Sequence, residues 1–333
     1  MGDAILSTAA LKAMRKHFAS DHITFFASPV VRQALSPTTL ADAWLDYNSR
    51  NPFVIARELS KYNFTHAVLF KNSFLCAMSA FLARIPERIG YARDCRSLFL
   101  TQKLYPPKNP DGSFKPISVV DYYIAITASL GATAFDKFPV LDFDPAAKIS
   151  LLEKLPALKN RSGPLVVLVP GGAFGPSKLW PSERFAATAD YLIEKYNAQI
   201  VISVAPNEFE KAIANNIRSS AKHELIDLSA CPVSLGQLKA LIAQADLVIT
   251  NDTGPRHIAI ALGKKLITLF GPNNPLWTAT GYAYETQLVG QYPCVHCDKP
   301  KCKYDSSRCM ETITVEMVTA EADKILSTIR GAI

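Results

Sequence analysis

The sequence predicts an α/β protein made of two Rossmann-like domains, each with a parallel sheet. Short apolar runs alternate with amphipathic stretches along the whole chain, which is typical of parallel strands joined by helices. The 333 residues exceed the usual ceiling for one hydrophobic core. Residues 156–164, near the middle, are rich in Pro, Gly, Ser and charge, as linkers are. We therefore expect an N-terminal domain over residues 1–155 and a C-terminal domain over 164–333.

Six short, often β-branched apolar runs are the clearest predicted strands. They cover residues 22–27, 67–70, 165–169, 199–204, 246–250 and 266–270. The helices between them begin with recognisable signals: Pro181-Ser182-Glu183 before a helix ending at Tyr196, Asn207 before residues 208–219, and Ser234 before residues 235–245. This alternation of strand and helix predicts a parallel sheet in each half of the chain.

Composition and charge exclude several classes of protein. No run approaches the roughly 18 apolar residues that cross a bilayer, and the N-terminus lacks a signal-peptide pattern, so we expect a cytoplasmic protein. Lys and Arg number 36 against 29 Asp and Glu, and the net charge of +7 favours anionic partners such as a phosphorylated glycolipid or an anionic leaflet. No Lys/Arg-rich stripe interleaved with aromatic residues is present, which disfavours nucleic-acid binding.

A glycine-rich turn, residues 170–181 (PGGAFGPSKLWP), follows one predicted strand and precedes a predicted helix. Because glycine has no Cβ, such a turn lets backbone N–H groups approach phosphate oxygens closely. Lys178 would add a mobile positive charge that neutralises a diphosphate. The alternative is a plain connecting loop with a solvated lysine.

A second turn, Asn251-Asp252-Thr253-Gly254, ends another predicted strand and precedes a predicted helix over residues 255–262. Ligands of open α/β sheets bind at the carboxyl ends of strands, so this turn would direct free helix N–H groups at phosphate. An ordinary helix cap at Asp252 or Thr253 is the structural alternative. His257, in the first helical turn, could reach the same phosphates or be a structural histidine.

Four cysteines cluster near the C-terminus. Cys294, Cys297, Cys302 and Cys309 are spaced C-x2-C-x4-C-x6-C. Four thiolates can hold a tetrahedral Zn²⁺ ion, and a cytoplasmic location disfavours disulfides. The later spacings do not match a standard zinc ribbon, so free thiols remain the alternative. We expect this segment, residues 294–309, to be a local structural staple rather than a catalytic element.

Together the motifs resemble glycosyltransferase family 9, the ADP-heptose:lipopolysaccharide heptosyltransferases, and most of all their heptosyltransferase II group. Nearly the whole chain resembles the family in order. The resemblance rests on the turns 170–181 and 251–254 with His257, on LFGP at 269–272, on Gly2-Asp3, on KNSF at 71–74 and on IPERIGY at 85–91. It implies the GT-B fold, in which two Rossmann-like domains face each other across a cleft, with the sugar donor on the C-terminal domain.

The resemblance also implies roles for single residues. Lys178 corresponds to the lysine that binds the donor diphosphate, and Asp252, Thr253 and Gly254 to the turn that holds the phosphates and the transferred sugar. Glu208 matches an acidic residue that binds the donor ribose, a role that suits a carboxylate, although an exposed Glu in a first helical turn is equally ordinary. Asp3 corresponds to the general base of a single inverting displacement, with a terminal or capping aspartate as the alternative.

The start of the chain departs from the family. Relatives carry a strand before the Gly-Asp pair, and in the strand order 3-2-1-4-5-6 this first strand is central. Here Gly2 follows Met1, so we expect the N-terminal sheet to lack its first strand and Asp3 to be weakly anchored. An upstream start would supply the strand. A genuine start at Met1, with another segment filling the gap or the neighbouring strands pairing directly, is the alternative.

The expected function is metal-independent transfer of a heptose from ADP-L-glycero-D-manno-heptose to a lipopolysaccharide inner-core acceptor. No cofactor is expected for catalysis, and zinc only as a structural ion. The expected partners are the nucleotide-sugar donor, a lipid-linked saccharide and the inner membrane leaflet. Two alternatives remain: a GT-B transferase with another sugar or acceptor, and a non-catalytic nucleotide-sugar binding protein.

Overall fold

The structure, a computed structural model, describes residues 1–134 and 136–330. The chain forms two compact units. The first comprises residues 1–5, 138–275 and the chain from 281 on, and we call it the C-terminal unit. The second comprises residues 6–137 and 276–280, and we call it the N-terminal unit.

Strands and helices alternate as the sequence predicts. The strands are β1 Thr24–Ala27, β2 Ala43–Asp46, β3 His66–Leu69, β4 Glu87–Tyr91, β5 Gln102–Leu104, β6 Leu165–Val169, β7 Gln199–Ile202, β8 Ile226–Asp227, β9 Leu247–Asn251, β10 Leu266–Phe270 and β11 Glu285–Val289. The helices are α1 Gly2–Leu6, α2 Thr8–His17, α3 Pro29–Leu35, α4 Pro52–Leu59, α5 Phe74–Leu82, α6 Val119–Ala128, α7 Pro145–Lys154, α8 Ser182–Tyr196, α9 Glu208–Ser220, α10 Leu235–Gln244, α11 Gly254–Ala261, α12 Arg308–Glu311 and α13 Val315–Arg330.

The C-terminal unit has one parallel six-stranded sheet with the order β8-β7-β6-β9-β10-β11. Numbered within the unit, this is 3-2-1-4-5-6, the order of a Rossmann fold. Strands β6, β9 and β10 are buried along their whole length, because helices cover a doubly wound sheet on both faces. One continuous apolar core joins these strands to α8, α9 and α13.

The strands of the N-terminal unit form two separate parallel sheets, β1–β2 and β3–β4–β5. No strand among residues 1–134 and 136–330 joins β1 to β3. In the order 3-2-1-4-5-6 the first strand joins strand 2 to strand 4. A sheet without it divides into a pair and a triplet, as expected for an N-terminal sheet that lacks its first strand. The apolar clusters of this unit are correspondingly small.

The boundary between the units lies earlier than residue 155, where the sequence places it. Residues 138–155 belong to the C-terminal unit because α7 packs on α10. The Gln237 side chain donates to the Ser150 hydroxyl at 3.0 Å, and Leu151 is fully buried. A fully buried lysine, Lys239, donates to the Asp142 carbonyl at 3.0 Å. The proline-rich segment 156–164 is therefore a connection inside the C-terminal unit rather than the linker between units.

Within the part of the chain that the structure describes, no helix has the length and apolar character needed to cross a membrane.

Candidate functional site

The C-terminal unit brings the two predicted turns together. Strands β6 and β9 are neighbours with Val169 opposite Thr250, and the strand order reverses between them. Ligands of open α/β sheets bind outside the carboxyl ends of strands at such a switch point. The fully buried Asn251 side chain donates to the Pro170 carbonyl at 2.6 Å and so ties the two turns to each other.

Glycines at this site are required by close packing. A Cβ on Gly171 would collide with the carboxylate of Glu210, and one on Gly172 would lie 3.1 Å from Thr253 Cγ2. Glu210 is buried and accepts from the Ala205 N–H at 2.8 Å, so its carboxylate is held against the glycine turn. The two turns can therefore approach closely enough for their N–H groups to serve one ligand.

Lys178 and Asp252 form a buried ion pair. The Lys178 ammonium donates to Asp252 Oδ2 at 2.9 Å and to the Asp252 carbonyl at 3.0 Å, and each side chain is only 9% exposed. The ring of Phe174 lies 4.7 Å from the same ammonium. An ammonium has three N–H groups, so Lys178 can add a phosphate oxygen to these contacts or exchange one of them for it.

Arg256 and Glu285 extend this ion pair, and neither is among the residues predicted from the sequence. Arg256 is fully buried, donates from Nη1 to Asp252 Oδ1 at 3.0 Å, and pairs with both oxygens of Glu285 at 2.6 and 3.1 Å. Thr268 also donates to Glu285 at 2.6 Å. The only available signal was the occurrence of an arginine inside an apolar helix, which does not reveal a partner 29 residues away.

The positive charges of this network stabilise the ionised form of its carboxylates. Burial raises the pKa of Asp252, but the positive charges of Lys178 and Arg256 outweigh it and hold this pKa below the ordinary value. Glu285 behaves likewise: burial raises its pKa, but Arg256 together with hydrogen bonds from Thr268 and Gln287 holds this pKa below the ordinary value. Because Asp252 has two cationic partners, Lys178 can turn to a diphosphate without leaving a buried carboxylate unpaired.

His257 is a neutral imidazole at this site. Burial lowers its pKa to about 3, and the neighbouring Arg256 acts in the same direction. Its Nδ1 atom is buried without a hydrogen-bond partner. Its Cδ2 atom would lie 2.9 Å from a Cβ placed on Gly2. The ring therefore presents an unpaired nitrogen near the Asp252–Gly254 turn and the start of the chain.

Asp3 lies on the same unit as the turns 170–181 and 251–254, which we call the phosphate turns after their predicted ligand. Residues 1–5 belong to the C-terminal unit, and Met1 contacts the position of Gly254 while Gly2 contacts His257. Asp3 is exposed, one residue beyond this contact. The start of the chain therefore packs against the turn at Gly254 and against His257, and Asp3 follows directly after these contacts.

Glu208 lies apart from this buried network. It occupies the first turn of α9, where its side chain is 91% exposed and pairs with Lys211 at 2.8 Å. This exposed carboxylate has a further oxygen that can accept ribose hydroxyls, whereas the neighbouring Glu210 is engaged by Ala205 and packed against the glycine turn.

The cysteine segment does not have the geometry expected of a zinc site. Over residues 1–134 and 136–330, no three His, Cys, Asp or Glu side chains are placed to hold one metal ion, and the seven cysteines are free. Burial raises the pKa of the Cys309 thiol, and the nearby Cys302, Cys294 and Cys297 act in the same direction. The expected zinc is therefore not supported by the side-chain arrangement, because tetrahedral coordination needs ligands at about 2.3 Å from one ion.

The same segment directly contacts residues 175–178, which carry Lys178 and which we call the lysine loop. Ser177, adjacent to Lys178, donates from its hydroxyl to the Lys299 carbonyl at 2.6 Å and from its N–H to the Pro300 carbonyl at 3.3 Å. Gly175 has φ +145°, and a Cβ there would collide with Pro300. The segment therefore supports the loop that carries Lys178.

Comparison with known proteins identifies the family of this chain. A sequence profile of glycosyltransferase family 9 (heptosyltransferase) matches residues 53–307. The chain is 30% identical over 302 residues to lipooligosaccharide heptosyltransferase 2 of Haemophilus ducreyi, covering 84% of this chain and 82% of that protein.

Two solved structures share the fold. The structure of E. coli ADP-heptose lps heptosyltransferase II is similar with a TM-score of 0.80 and 22% identity, covering 99% of this chain and 96% of that one. E. coli heptosyltransferase WaaC with ADP-2-deoxy-2-fluoro heptose is similar with a TM-score of 0.69 and 17% identity, covering 97% and 96%. The fold is thus GT-B. The chain belongs to glycosyltransferase family 9, the heptosyltransferase family, and is a glycosyltransferase.

Proposed function

We propose that this enzyme transfers a heptose from ADP-L-glycero-D-manno-heptose to an inner-core lipopolysaccharide acceptor. The observation that carries the proposal is the pairing of Lys178 with Asp252 at the switch point of the sheet, within a heptosyltransferase sequence. The names of similar proteins support both substrates: the E. coli structure is that of an ADP-heptose heptosyltransferase, and the Haemophilus ducreyi relative is a lipooligosaccharide heptosyltransferase.

In this proposal the diphosphate lies between Lys178 and the N-terminus of α11. Thr253 and Gly254 supply free N–H groups there, and the helix dipole favours the negative charge that develops on the leaving group. The same two features take the role that a divalent cation has in other nucleotide-dependent enzymes. Glu208 accepts hydrogen bonds from the ribose hydroxyls. His257 donates a hydrogen bond to the transferred sugar or accepts one from it.

Asp3 acts in this proposal as the general base. It removes the proton from the acceptor hydroxyl while that oxygen attacks the anomeric carbon, and the bond to the diphosphate breaks in the same step. The anomeric configuration is inverted because attack comes from the face opposite the leaving group. The proposal also includes a cytoplasmic location and peripheral contact with the inner membrane leaflet, supported by the net charge of +7.

A donor panel tests the proposal. The protein is incubated with ADP-heptose, ADP-glucose, GDP-mannose and UDP-glucose, each with an inner-core lipopolysaccharide acceptor, and transfer and binding are measured separately. We expect transfer from ADP-heptose alone. Transfer from another donor would replace the proposed sugar, and selective binding without any transfer would identify a non-catalytic nucleotide-sugar binding protein.

A substitution tests the site. We expect Lys178→Ala to lower kcat/KM for the donor at least tenfold, because a charge-assisted hydrogen bond typically contributes about 1.5 to 3 kcal/mol. Lys195→Ala is the matched control: it removes a lysine from α8 of the same unit that pairs only at the surface, with Asp323 at 2.7 Å. Equal kinetics of Lys178→Ala and the control would contradict the assignment of the diphosphate to this loop.

A further inference from the structure

The net positive charge of the chain lies entirely in one unit. Residues 6–137 contain 16 Lys and Arg against 9 Asp and Glu, a net +7, and residues 276–280 are uncharged. The whole chain also has +7, so the C-terminal unit is neutral, with 20 residues of each sign. The neutral unit carries the donor site, so the donor does not account for this separation of charge.

The charged unit also exposes an apolar surface on α5. This helix (FLCAMSAFL) contains no charged residue. Phe74 and Phe81 are seven residues apart and so lie on one face of the helix, 40% and 46% exposed. Both rings contact Phe99, with centroids 5.2 and 5.4 Å apart, and the adjacent Leu98 is 85% exposed. We call Phe74, Phe81, Leu98 and Phe99 the aromatic patch.

Basic residues flank helix α5, and one of them contacts the aromatic patch. Lys71 and Arg84 are exposed just before and just after α5. The Arg88 guanidinium lies 5.5 Å from the Phe81 ring and is fixed there by donation to the Phe99 carbonyl at 2.6 Å. Glu87, next to Arg88, and Asp94, four residues before Leu98, are exposed acidic residues of the same stretch. Apolar and aromatic side chains with Lys and Arg beside them are typical of surfaces that lie in the interface of an anionic bilayer.

We propose that the aromatic patch docks the N-terminal unit on an anionic lipid bilayer. Phe74, Phe81 and Leu98 enter the boundary between headgroups and acyl chains, and the flanking basic residues approach the lipid phosphates. A second copy of the chain is a poorer occupant, because self-association through this patch would bring two units of +7 together. This docking rests on the membrane contact in the proposed function, names the surface that makes the contact, and requires neither donor nor saccharide acceptor.

Vesicle sedimentation of the full chain tests the docking. Vesicles of phosphatidylcholine alone are compared with vesicles of equal parts phosphatidylcholine and phosphatidylglycerol, without any acceptor. We expect binding to the anionic vesicles, weakened by added salt, and at least tenfold weaker binding to the neutral ones. Leu98→Ser should lower the affinity for anionic vesicles severalfold, and Phe81→Ser/Leu98→Ser at least tenfold.

Two controls keep the result specific. Phe209→Ser removes a phenylalanine that is 52% exposed on α9 of the neutral unit, and it should leave vesicle binding unchanged. Leu98 is so exposed that Leu98→Ser should keep the thermal stability of the parent protein, which protects the test if Phe81→Ser disturbs the fold. Transfer to a water-soluble acceptor fragment should be equal in the parent and Leu98→Ser, so that loss of docking is separated from loss of catalysis.

Three results would overturn the docking. Equal binding to neutral and anionic vesicles would remove the role of charge. Unchanged vesicle binding by both patch variants would place the contact elsewhere. A parent protein that is dimeric by light scattering, with monomeric patch variants, would show that the patch is covered by a second copy.

Discussion

Residues at the phosphate turns form a chain of alternating charges from Lys178 through Asp252 and Arg256 to Glu285. Each buried charge has an opposite partner, which offsets the cost of removing it from water. Glu285 compensates Arg256, and Arg256 in turn would keep Asp252 compensated if Lys178 turned to the diphosphate of the proposed donor. Arg256 is therefore a positioning residue for the carboxylate that holds Lys178.

Removing Arg256 tests whether these buried charges compensate one another. Arg256→Met leaves Glu285 buried without its cation, so we expect a loss of about 3 to 5 kcal/mol in the free energy of unfolding. Arg256→Met/Glu285→Gln removes both charges and should recover most of this loss, while KM for the donor stays above that of the parent because Asp252 has only one partner left. Urea unfolding and donor kinetics of both variants are the measurements. A double variant as unstable as the single one would show that the pair does not act as a unit.

His257 predicts a pH dependence of stability. Its pKa is lowered to about 3 by burial, below the value of 6.5 in the unfolded chain, so the unfolded state binds the proton first as the pH falls. The contribution to stability is complete above pH 6.5 and is lost on acidification. Between pH 7 and pH 5 we expect the loss to be about 2 kcal/mol.

His257→Asn has no side chain that titrates, so its unfolding free energy is compared with that of the parent protein. The difference in unfolding free energy between the parent and His257→Asn should change by this amount between pH 7 and pH 5, in favour of the variant at low pH. Urea unfolding at pH 5, 6 and 7 measures it. A constant difference across the series would mean that His257 is accessible to protons in the folded protein.

At the scale of elements, the loop that carries Lys178 depends on the segment that carries the cysteines. Ser177 is bound by two carbonyls of that segment, and Ser307 donates to the Pro176 carbonyl at 3.2 Å. Helix caps act more locally: Asn207 caps α9 by accepting from the Glu210 N–H, and Ser234 and Gln237 form a capping box on α10.

Gly175→Ala tests the contact between these two segments. The added Cβ would collide with Pro300, and φ at this position is +145°, so we expect the lysine loop to shift and KM for the donor to rise at least tenfold. Gly281→Ala is the control, since φ is +69° there but a Cβ would meet nothing within 4 Å. Gly281→Ala should cost only the backbone strain of about 1 kcal/mol. Similar donor kinetics of the two variants would show that the contact with the cysteine segment does not affect donor binding.

At the scale of the whole molecule, the two units differ in both charge and sheet. The C-terminal unit is neutral, has one complete six-stranded sheet and carries the phosphate turns together with residues 1–5. The N-terminal unit has a net charge of +7, a sheet divided in two and the aromatic patch. This difference between the units suits an enzyme whose donor is small and whose acceptor is attached to a lipid.

The sequence by itself determined the features that depend on short stretches. Strands β6 and β10 match the predicted runs at both ends, and α8, α9 and α10 begin within a residue of their predicted starts, because burial patterns and capping residues are local. The two phosphate turns were predictable for the same reason. Parallel strands that share a sheet bring their carboxyl ends together, so the proximity of Lys178 to Asp252 followed from the order of elements.

Only the tertiary structure decided the features that join distant residues. The pairing of Arg256 with Glu285, the placement of α7 on α10 and the contact of the cysteine segment with Ser177 each depend on packing between elements far apart in sequence. Cysteine spacing likewise could not determine whether four thiols converge, because coordination depends on the backbone path between them. The physical reason is common to all of these: a local pattern specifies an element, whereas the partners of its buried charges are specified by the packing of the whole unit.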